Sequence, residues 1–149
     1  MGSKNLKTKV LFICKHNSAR SQMAEGLLNS IYGEYFEAYS AGTDPDILNP
    51  CAVKVMADRG YRYISRNRSK SLKEFEGKKF DYMVTVCEGE SGACPFFPGG
   101  RTHIHRSFPD PSVVDEDTKV KVFTRLRDEI EEWIKRKFQG DIPLKPDAI

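Results

Sequence analysis

The sequence predicts an α/β fold, a single domain built on a four-stranded parallel sheet flanked by helices on both faces. Short apolar runs rich in β-branched residues alternate along the chain with segments whose apolar residues recur at helical spacing. This order places parallel strands between covering helices. No stretch of the 149 residues resembles a linker. We therefore expect one domain, residues 1–149, with a core at about residues 8–138 and a loosely ordered tail at 141–149.

The first half of the chain predicts two strand–helix pairs. Residues 9–13 form an apolar strand, and residues 21–32 follow as a helix with an apolar face. Residues 36–40 predict the second strand. The second helix spans residues 50–59, because Asn49 can cap it and proline is favoured at its first position. Each helix is followed by a glycine, which favours a helix end: these are Gly33 and Gly60.

The second half predicts a short helix, two strands and a long helix. Ser71 and Glu74 have the spacing of a capping box, which marks the start of the short helix. Strands are predicted at residues 80–86 and 102–105. The last helix, residues 119–138, has an apolar face that predicts a core position. Its apolar side chains are Phe123, Leu126, Ile130, Trp133 and Ile134.

Composition excludes several classes of protein. The 24 Lys and Arg residues are scattered and offset by 21 Asp and Glu, for a formal net charge of +3, which argues against a nucleic-acid partner. No apolar run is long enough for a membrane span and no apolar signal core begins the chain, so we expect a cytoplasmic protein without membrane contact. The four cysteines lack zinc-site spacing, so we expect no metal. We also expect no cofactor and a monomer.

The segment between the first strand and the first helix predicts an anion-binding loop. Cys14 ends the strand, and Arg20 opens the helix after five intervening residues. The backbone N–H groups of this segment can surround one tetrahedral oxyanion at the helix N-terminus, where the helix dipole favours negative charge. The intervening residues are Lys15, His16, Asn17, Ser18 and Ala19.

The side chains around this loop predict nucleophilic chemistry. A helix N-terminus and a guanidinium lower the pKa of a thiol, so we expect Cys14 to be a thiolate at neutral pH. Arg20 can hold two oxygens with its planar fork, and Ser21 can donate a hydrogen bond to the sulfur. Asn17 tolerates the positive φ that such a loop needs. Asp110, after the fourth strand, reaches the same sheet edge and can protonate a leaving oxygen.

Two further cysteines extend this chemistry. Cys87 follows strand 80–86 and so lies at the same edge as Cys14, and Cys94 lies seven residues on, in a segment rich in glycine and proline. A flexible loop lets one thiol reach Cys14 and then meet the other. A thiol that attacks a sulfur adduct expels the reduced group and leaves a disulfide. Three thiols in relay favour a two-electron reductase, since a phosphatase has no use for them.

At this point the chain resembles a family, the thioredoxin-coupled arsenate reductases, which are built on the low-molecular-weight tyrosine phosphatase fold. The resemblance covers about residues 8–138. It rests on five separate motifs: CKHNSARSQMAEG from residue 14, YSAG from residue 39, the Asn49–Pro50 helix start, the pair Cys87 and Cys94, and FPDP from residue 108.

The resemblance implies a mechanism. Cys14 attacks arsenate, Asp110 protonates the departing oxygen, and a covalent arseno-cysteine forms. Cys87 then attacks Cys14 and releases arsenite, and Cys94 takes over the disulfide. Thioredoxin or a similar dithiol reduces the Cys87–Cys94 disulfide, and phosphate or sulfate compete with arsenate for the loop.

Two positions depart from the family pattern. Many relatives have glycine at the third loop position, where this chain has His16, and we expect Asn17 to supply the unusual turn. Some relatives bind potassium beside the loop through Asn, Glu, Ser and Asp side chains. Asn17, Glu25 and Ser40 match the first three, but Lys70 occupies the acidic position. We expect the Lys70 ammonium to replace the ion.

Other interpretations stay open. A low-molecular-weight tyrosine or small-molecule phosphatase would use the same Cys14, Arg20 and Asp110. Such phosphatases usually place aromatic residues after the Asp-Pro pair, whereas residues 112–114 are Ser, Val and Val. A third interpretation is a non-catalytic redox sensor or oxyanion-binding module. We predict a structural role for Cys51, because nothing near it in sequence completes a site.

Overall fold

The computed structural model describes residues 6–61, 64–65, 67–87, 100–111, 115 and 117–140. The strands are β1 (Thr8–Cys14), β2 (Phe36–Gly42), β3 (Phe80–Thr85) and β4 (Gly100–His105). The α-helices are α1 (Arg20–Tyr32), α2 (Pro50–Asp58) and α3 (Lys119–Gln139), and a 3₁₀ helix, η1, spans Leu72–Phe75. Every predicted element is present, with ends within two residues of the prediction. The predicted tail lies outside the described residues.

The four strands form one parallel sheet in the order β2-β1-β3-β4, as the sequence predicts. β1 lies between β2 and β3, so the direction in which strands are added reverses beside it, which is where open α/β sheets bind ligands. Its last residue, Cys14, is in register with Gly42 of β2. On the other side Ile13 is in register with Thr85, and Val86 donates its N–H to the Ile13 carbonyl at 2.9 Å.

The two faces of the sheet carry different covers. The three α-helices contact one another and pack on the face that carries Val10, Phe12 and Cys14. The opposite face, with Leu11 and Ile13, forms a smaller core with residues of and beside η1. Helices therefore lie on both faces. In the described residues the three α-helices cover one face, and the short 3₁₀ helix η1 packs on the other. No helix in these residues is long and apolar enough to span a membrane.

The predicted caps fix the ends of two short helices near the carboxyl edge of the sheet. The Asn49 side chain accepts the N–H of Cys51 at 2.8 Å at the start of α2. Ser71 accepts the N–H of Lys73 at 3.1 Å at the start of η1, and the Glu74 carboxylate accepts the Ser71 N–H, which completes a capping box. These caps position the chain segments that precede each helix against the loop after β1.

Candidate active site

A cavity of about 290 Å³ opens at the carboxyl edge of the sheet, where β1 ends. Its lining includes the predicted nucleophile, anion clamp and acid, Cys14, Arg20 and Asp110. The loop between β1 and α1 forms part of the lining, and residues 46, 47, 49 and 50 from the segment after β2 form another part. The two residues that flank one loop therefore meet a third, from the distant segment after β4, around one space.

The loop between β1 and α1 turns its carbonyl groups away from the cavity. The carbonyls of Lys15, His16 and Ser18 accept backbone N–H groups at 2.8, 3.2 and 2.9 Å. The donors are Asp44, Asp46 and Asn49, all in the segment after β2. Because the C=O and N–H of one peptide plane point in opposite directions, the N–H groups of these peptide units face inward. The backbone N–H groups of Lys15 and His16 donate to the Cys14 sulfur.

Asn17 adopts the left-handed conformation that the sequence predicts, with a φ of 52°. Its side chain is fully buried. Its Nδ2 donates to Ser21 Oγ at 2.8 Å, and its Oδ1 accepts the Lys70 N–H at 2.8 Å. Among the described non-glycine residues Asn17 alone has positive φ, so the loop accommodates His16 without strain there. The Ser21 hydroxyl thus accepts from Asn17, and its predicted donation to the Cys14 sulfur stays a prediction.

The Arg20 guanidinium is held at the cavity by the segment that follows β4. Its Nη1 donates to the Phe108 carbonyl at 3.2 Å, and its Nη2 lies 3.9 Å from Asp110 Oδ2. Arg20 is 8% exposed, whereas the Asp110 side chain is 37% exposed. The clamp is therefore fixed and partly desolvated, while the carboxyl group reaches both the clamp and solvent.

The electrostatics of Cys14 differ from the sequence prediction. Burial raises the pKa of this thiol above its ordinary value of 9.0, since the sulfur is almost wholly enclosed. The Arg20 charge and the N–H groups of Lys15 and His16 lower the pKa, but they do not compensate for burial, and the Asp110 charge raises it further. The predicted thiolate at neutral pH is therefore wrong for the protein without a bound anion. A helix N-terminus and an arginine are local features, whereas burial is set by the whole fold.

Cys87 lies beside Cys14 at the same edge of the sheet. It follows Val86, whose N–H is hydrogen-bonded to Ile13 of β1, and it is buried in the same core cluster as Cys14. Cys87 is disulfide-bonded, whereas Cys14 and Cys51 are not in disulfide bonds. The predicted partner Cys94 and residues 112–114 lie outside the described residues.

Lys70 lies beside Glu25 and Asn17, and its replacement of a cation stays a prediction. Its Nζ lies 3.9 Å from Glu25 Oε1, which also accepts the Ser40 hydroxyl at 2.6 Å. Burial lowers the pKa of the Lys70 ammonium, although the Glu25 charge partly offsets this. An ammonium therefore adjoins the carboxylate and hydroxyl that could otherwise face a cation. In the described ranges no group of His, Cys, Asp or Glu side chains could hold a metal ion.

Two further residues, which the sequence analysis did not single out, shape the loop. A Cβ on Gly42 would lie 2.5 Å from the Lys15 carbonyl oxygen, so glycine is required for the close approach of β2 to the loop. The buried side chain of Gln22 donates to both the carbonyl and the side chain of Asn17. The YSAG motif contains Gly42, but nothing in the sequence alone distinguishes Gln22 from a surface glutamine.

Comparisons with known proteins place this geometry among related chains. The family described as low molecular weight phosphotyrosine protein phosphatase matches residues 9–141. The arsenate reductase of Halalkalibacterium halodurans is 37% identical over 131 residues, which cover 87% of this chain and 94% of that protein. The arsenate reductase of Bacillus subtilis is 37% identical over 123 residues, covering 81% and 88%.

Solved structures show the same similarity. The crystal structure of an arsenate reductase from Archaeoglobus fulgidus superposes with a TM-score of 0.64 at 28% identity, covering 84% of this chain and 98% of that one. A thioredoxin-dependent arsenate reductase from Corynebacterium glutamicum gives a TM-score of 0.65 at 28% identity, covering 91% of this chain and 64% of that one.

Proposed function

Because the chain belongs to the low molecular weight phosphotyrosine protein phosphatase family, in the branch of the arsenate reductases, we propose that it reduces arsenate to arsenite with a three-cysteine relay. Thioredoxin or a similar dithiol regenerates the enzyme in the cytoplasm. The Corynebacterium glutamicum relative is described as thioredoxin-dependent, which supports this choice of reductant. Phosphate and sulfate compete for the same loop because they share the tetrahedral shape and negative charge of arsenate.

The observation that carries the proposal is the adjacency of Cys14 and Cys87. β1 and β3 are parallel neighbours, and the Val86 N–H bonds the Ile13 carbonyl at 2.9 Å. Neighbouring strands lie about 4.8 Å apart and rise about 3.3 Å per residue, so the backbones of the two cysteines are within reach of a disulfide. Both are buried in one core cluster. Two thiols at the end of neighbouring strands support a redox step and add nothing to ester hydrolysis.

The first step uses Cys14, Arg20 and Asp110. Arsenate enters the loop, and the inward N–H groups and the Arg20 fork hold its oxygens. The oxyanion takes the place of Asp110 as the partner of the Arg20 guanidinium, and Asp110 serves as the acid for the leaving oxygen. Cys14 passes its thiol proton to an oxygen of the oxyanion and attacks arsenic. The S–As bond forms, and one oxygen leaves as water with a proton from Asp110.

The second step is the reduction. The Cys87 thiolate attacks the Cys14 sulfur, the S–As electron pair goes to arsenic, and arsenite leaves. Arsenic gains two electrons, and the two sulfurs lose two as their disulfide forms. Cys94 then attacks Cys87 and releases Cys14 as a thiolate. An external dithiol reduces the Cys87–Cys94 disulfide and closes the cycle. The disulfide-bonded state of Cys87, with Cys14 free, is consistent with the last of these pairings.

A cysteine series tests the relay. Arsenate reduction is measured with thioredoxin and thioredoxin reductase in the wild type and in Cys14→Ser, Cys87→Ser and Cys94→Ser. All three variants should lose multiple turnover, and Cys94→Ser should complete one turnover and stop as the Cys14–Cys87 disulfide. Cys51→Ser is the matched control, since Cys51 is partly buried, is not in a disulfide bond and lies outside the proposed relay, and this variant should keep full activity.

The same series separates reduction from hydrolysis. If Cys87→Ser still reduces arsenate, the relay through Cys87 is overturned. If the wild type hydrolyses phosphate esters quickly and reduces no arsenate, the chain is a phosphatase that uses Cys14, Arg20 and Asp110. An oxyanion-binding module would bind phosphate but would neither reduce arsenate nor hydrolyse phosphate esters.

A further inference from the structure

Four consecutive carbonyl groups of the loop after β1, residues 15–18, accept hydrogen bonds from chain segments outside the loop. Three of them accept backbone N–H groups from the segment after β2. The fourth, the carbonyl of Asn17, accepts the side-chain amide of Gln22 at 3.3 Å. The neighbouring carbonyls are each bound by a backbone N–H group, whereas the Asn17 carbonyl is bound by the Gln22 side chain. Gln22 lies in the first turn of α1.

Gln22 also connects the loop to the segment before η1. Its Nε2 lies 2.9 Å from Asn17 Oδ1 and 2.9 Å from the Arg68 carbonyl. Its Oε1 accepts from Asn67 Nδ2 at 3.0 Å. The side chain is fully buried, so water does not replace these bonds when one is removed. Every polar atom of this amide thus binds either the loop or the 67–68 segment.

Asn17 needs such support because of its conformation. A non-glycine residue at a φ of 52° is held there by its surroundings, since the left-handed region is unfavourable for L residues. If the Asn17 peptide rotates, its carbonyl turns toward the cavity and the following N–H turns away from it. A carbonyl oxygen aimed at an oxyanion repels it, so one rotated peptide removes a donor and adds a negative dipole.

We infer that Gln22 is a positioning residue for oxyanion binding: its amide holds the left-handed Asn17 so that the loop N–H groups face the cavity. This inference rests on the proposed function, because it takes the loop to bind an oxyanion. It adds a residue outside the cavity that sets the affinity of the loop for the oxyanion. Gln22 does not line the cavity and acts through Asn17.

The test compares Gln22→Met with Asn29→Leu. Asn29 is also on α1, and its amide makes two hydrogen bonds to Ala38 in β2, at 3.2 and 2.9 Å. Both variants replace an amide by an apolar side chain of similar size and lose hydrogen bonds, so both should lower the melting temperature without ligand. Inorganic phosphate is the probe, since it is not reduced, and its Kd follows from the rise in melting temperature with concentration.

Gln22→Met should raise the Kd for phosphate about tenfold and raise the KM for arsenate in parallel, whereas Asn29→Leu should change neither. An equal phosphate Kd in Gln22→Met and the wild type overturns the inference and leaves the proposed function standing. If phosphate does not raise the melting temperature of the wild type, both the inference and the proposed function are overturned. Should Gln22→Met not fold, Asn67→Ala removes the donor to Gln22 Oε1 together with a longer bond of 3.4 Å to Glu25 Oε2, and an unchanged Kd there overturns the inference.

Discussion

Asp110 and Arg20 face each other across the mouth of the cavity, with 3.9 Å between Oδ2 and Nη2. At the opposite edge of the sheet Asp81 and Arg101 form a similar pair at 3.8 Å. The two aspartates are almost equally exposed, 37% for Asp110 and 38% for Asp81. The two contacts therefore match in distance and in the exposure of the carboxylate, although the Arg20 side chain is 9% exposed and the Arg101 side chain 83%. One lies at the proposed active site and one far from it.

Replacement of Asp110 by asparagine should separate binding from chemistry. The variant removes a negative charge beside the oxyanion and the partner that competes for Arg20, so the Kd for phosphate should fall about threefold. It also removes the proton donor, so the kcat for arsenate should fall by about 10²-fold or more. Asp81→Asn should change neither quantity. A kcat that survives Asp110→Asn would assign the proton to another group.

The pH dependence of stability should reveal the buried thiol of Cys14. The folded-state pKa is raised above 9.0, so the folded protein keeps a proton that the unfolded chain loses. This contribution to stability is complete below the unfolded pKa and is lost as pH rises through the folded pKa. The free energy of unfolding of the wild type should therefore fall relative to that of Cys14→Ser above about pH 9, measured by urea titration under reducing conditions.

Alkylation provides an independent measurement of the same pKa. The rate at which iodoacetamide modifies Cys14 in Cys51→Ser protein should increase with pH. When no anion is bound, the midpoint of this increase should lie above pH 9.0. Adding the Asp110→Asn substitution should lower this midpoint, because the Asp110 charge raises the pKa of Cys14. A midpoint near neutral pH would show that the loop N–H groups and Arg20 outweigh burial.

Lys70 should make the protein indifferent to potassium. Its ammonium lies 3.9 Å from Glu25 Oε1, and the two side chains are only 16% and 13% exposed. Activity and melting temperature should be the same in sodium and potassium salts. Lys70→Met leaves Glu25 without this cation and should cost about 1–3 kcal/mol, with partial recovery in potassium. A several-fold gain of wild-type activity in potassium would contradict the prediction.

The control for Lys70 is Lys54→Met. Lys54 pairs with Asp58 at 3.4 Å on an exposed face of α2, with side chains 57% and 54% exposed. Exposed pairs of this kind contribute about 0–1 kcal/mol, so this variant should lose little stability and gain no response to potassium.

Gly42→Ala should disrupt the loop by direct contact. The added methyl would lie 2.5 Å from the Lys15 carbonyl oxygen and 3.0 Å from the Asn17 nitrogen, both backbone atoms that cannot move without distorting the loop. The Kd for phosphate should rise more than about tenfold, and the melting temperature should fall. Gly140→Ala is the control, because a Cβ there meets nothing within 4 Å. Unchanged phosphate binding in Gly42→Ala would show that the loop can yield.

The local features of this protein follow from its sequence. The alternation of apolar runs and helical periodicity predicts the four strands and three α-helices of the described residues, and the capping residues predict where α2 and η1 begin. The positive φ of Asn17 is predictable because asparagine tolerates it and the loop needs one such turn. Cys14, Arg20 and Asp110 are predictable as neighbours, because the carboxyl ends of parallel strands share one edge.

The tertiary structure decided what depends on distant residues. The same periodicity does not distinguish a 3₁₀ helix at η1 from an α-helix. The Phe108 carbonyl that holds Arg20 and the Gln22 amide that holds Asn17 are recognisable only when the chain segments meet. Cys14 shows the physical reason most clearly: its charged neighbours are visible in the sequence, but the burial that raises its pKa is a property of the packed core.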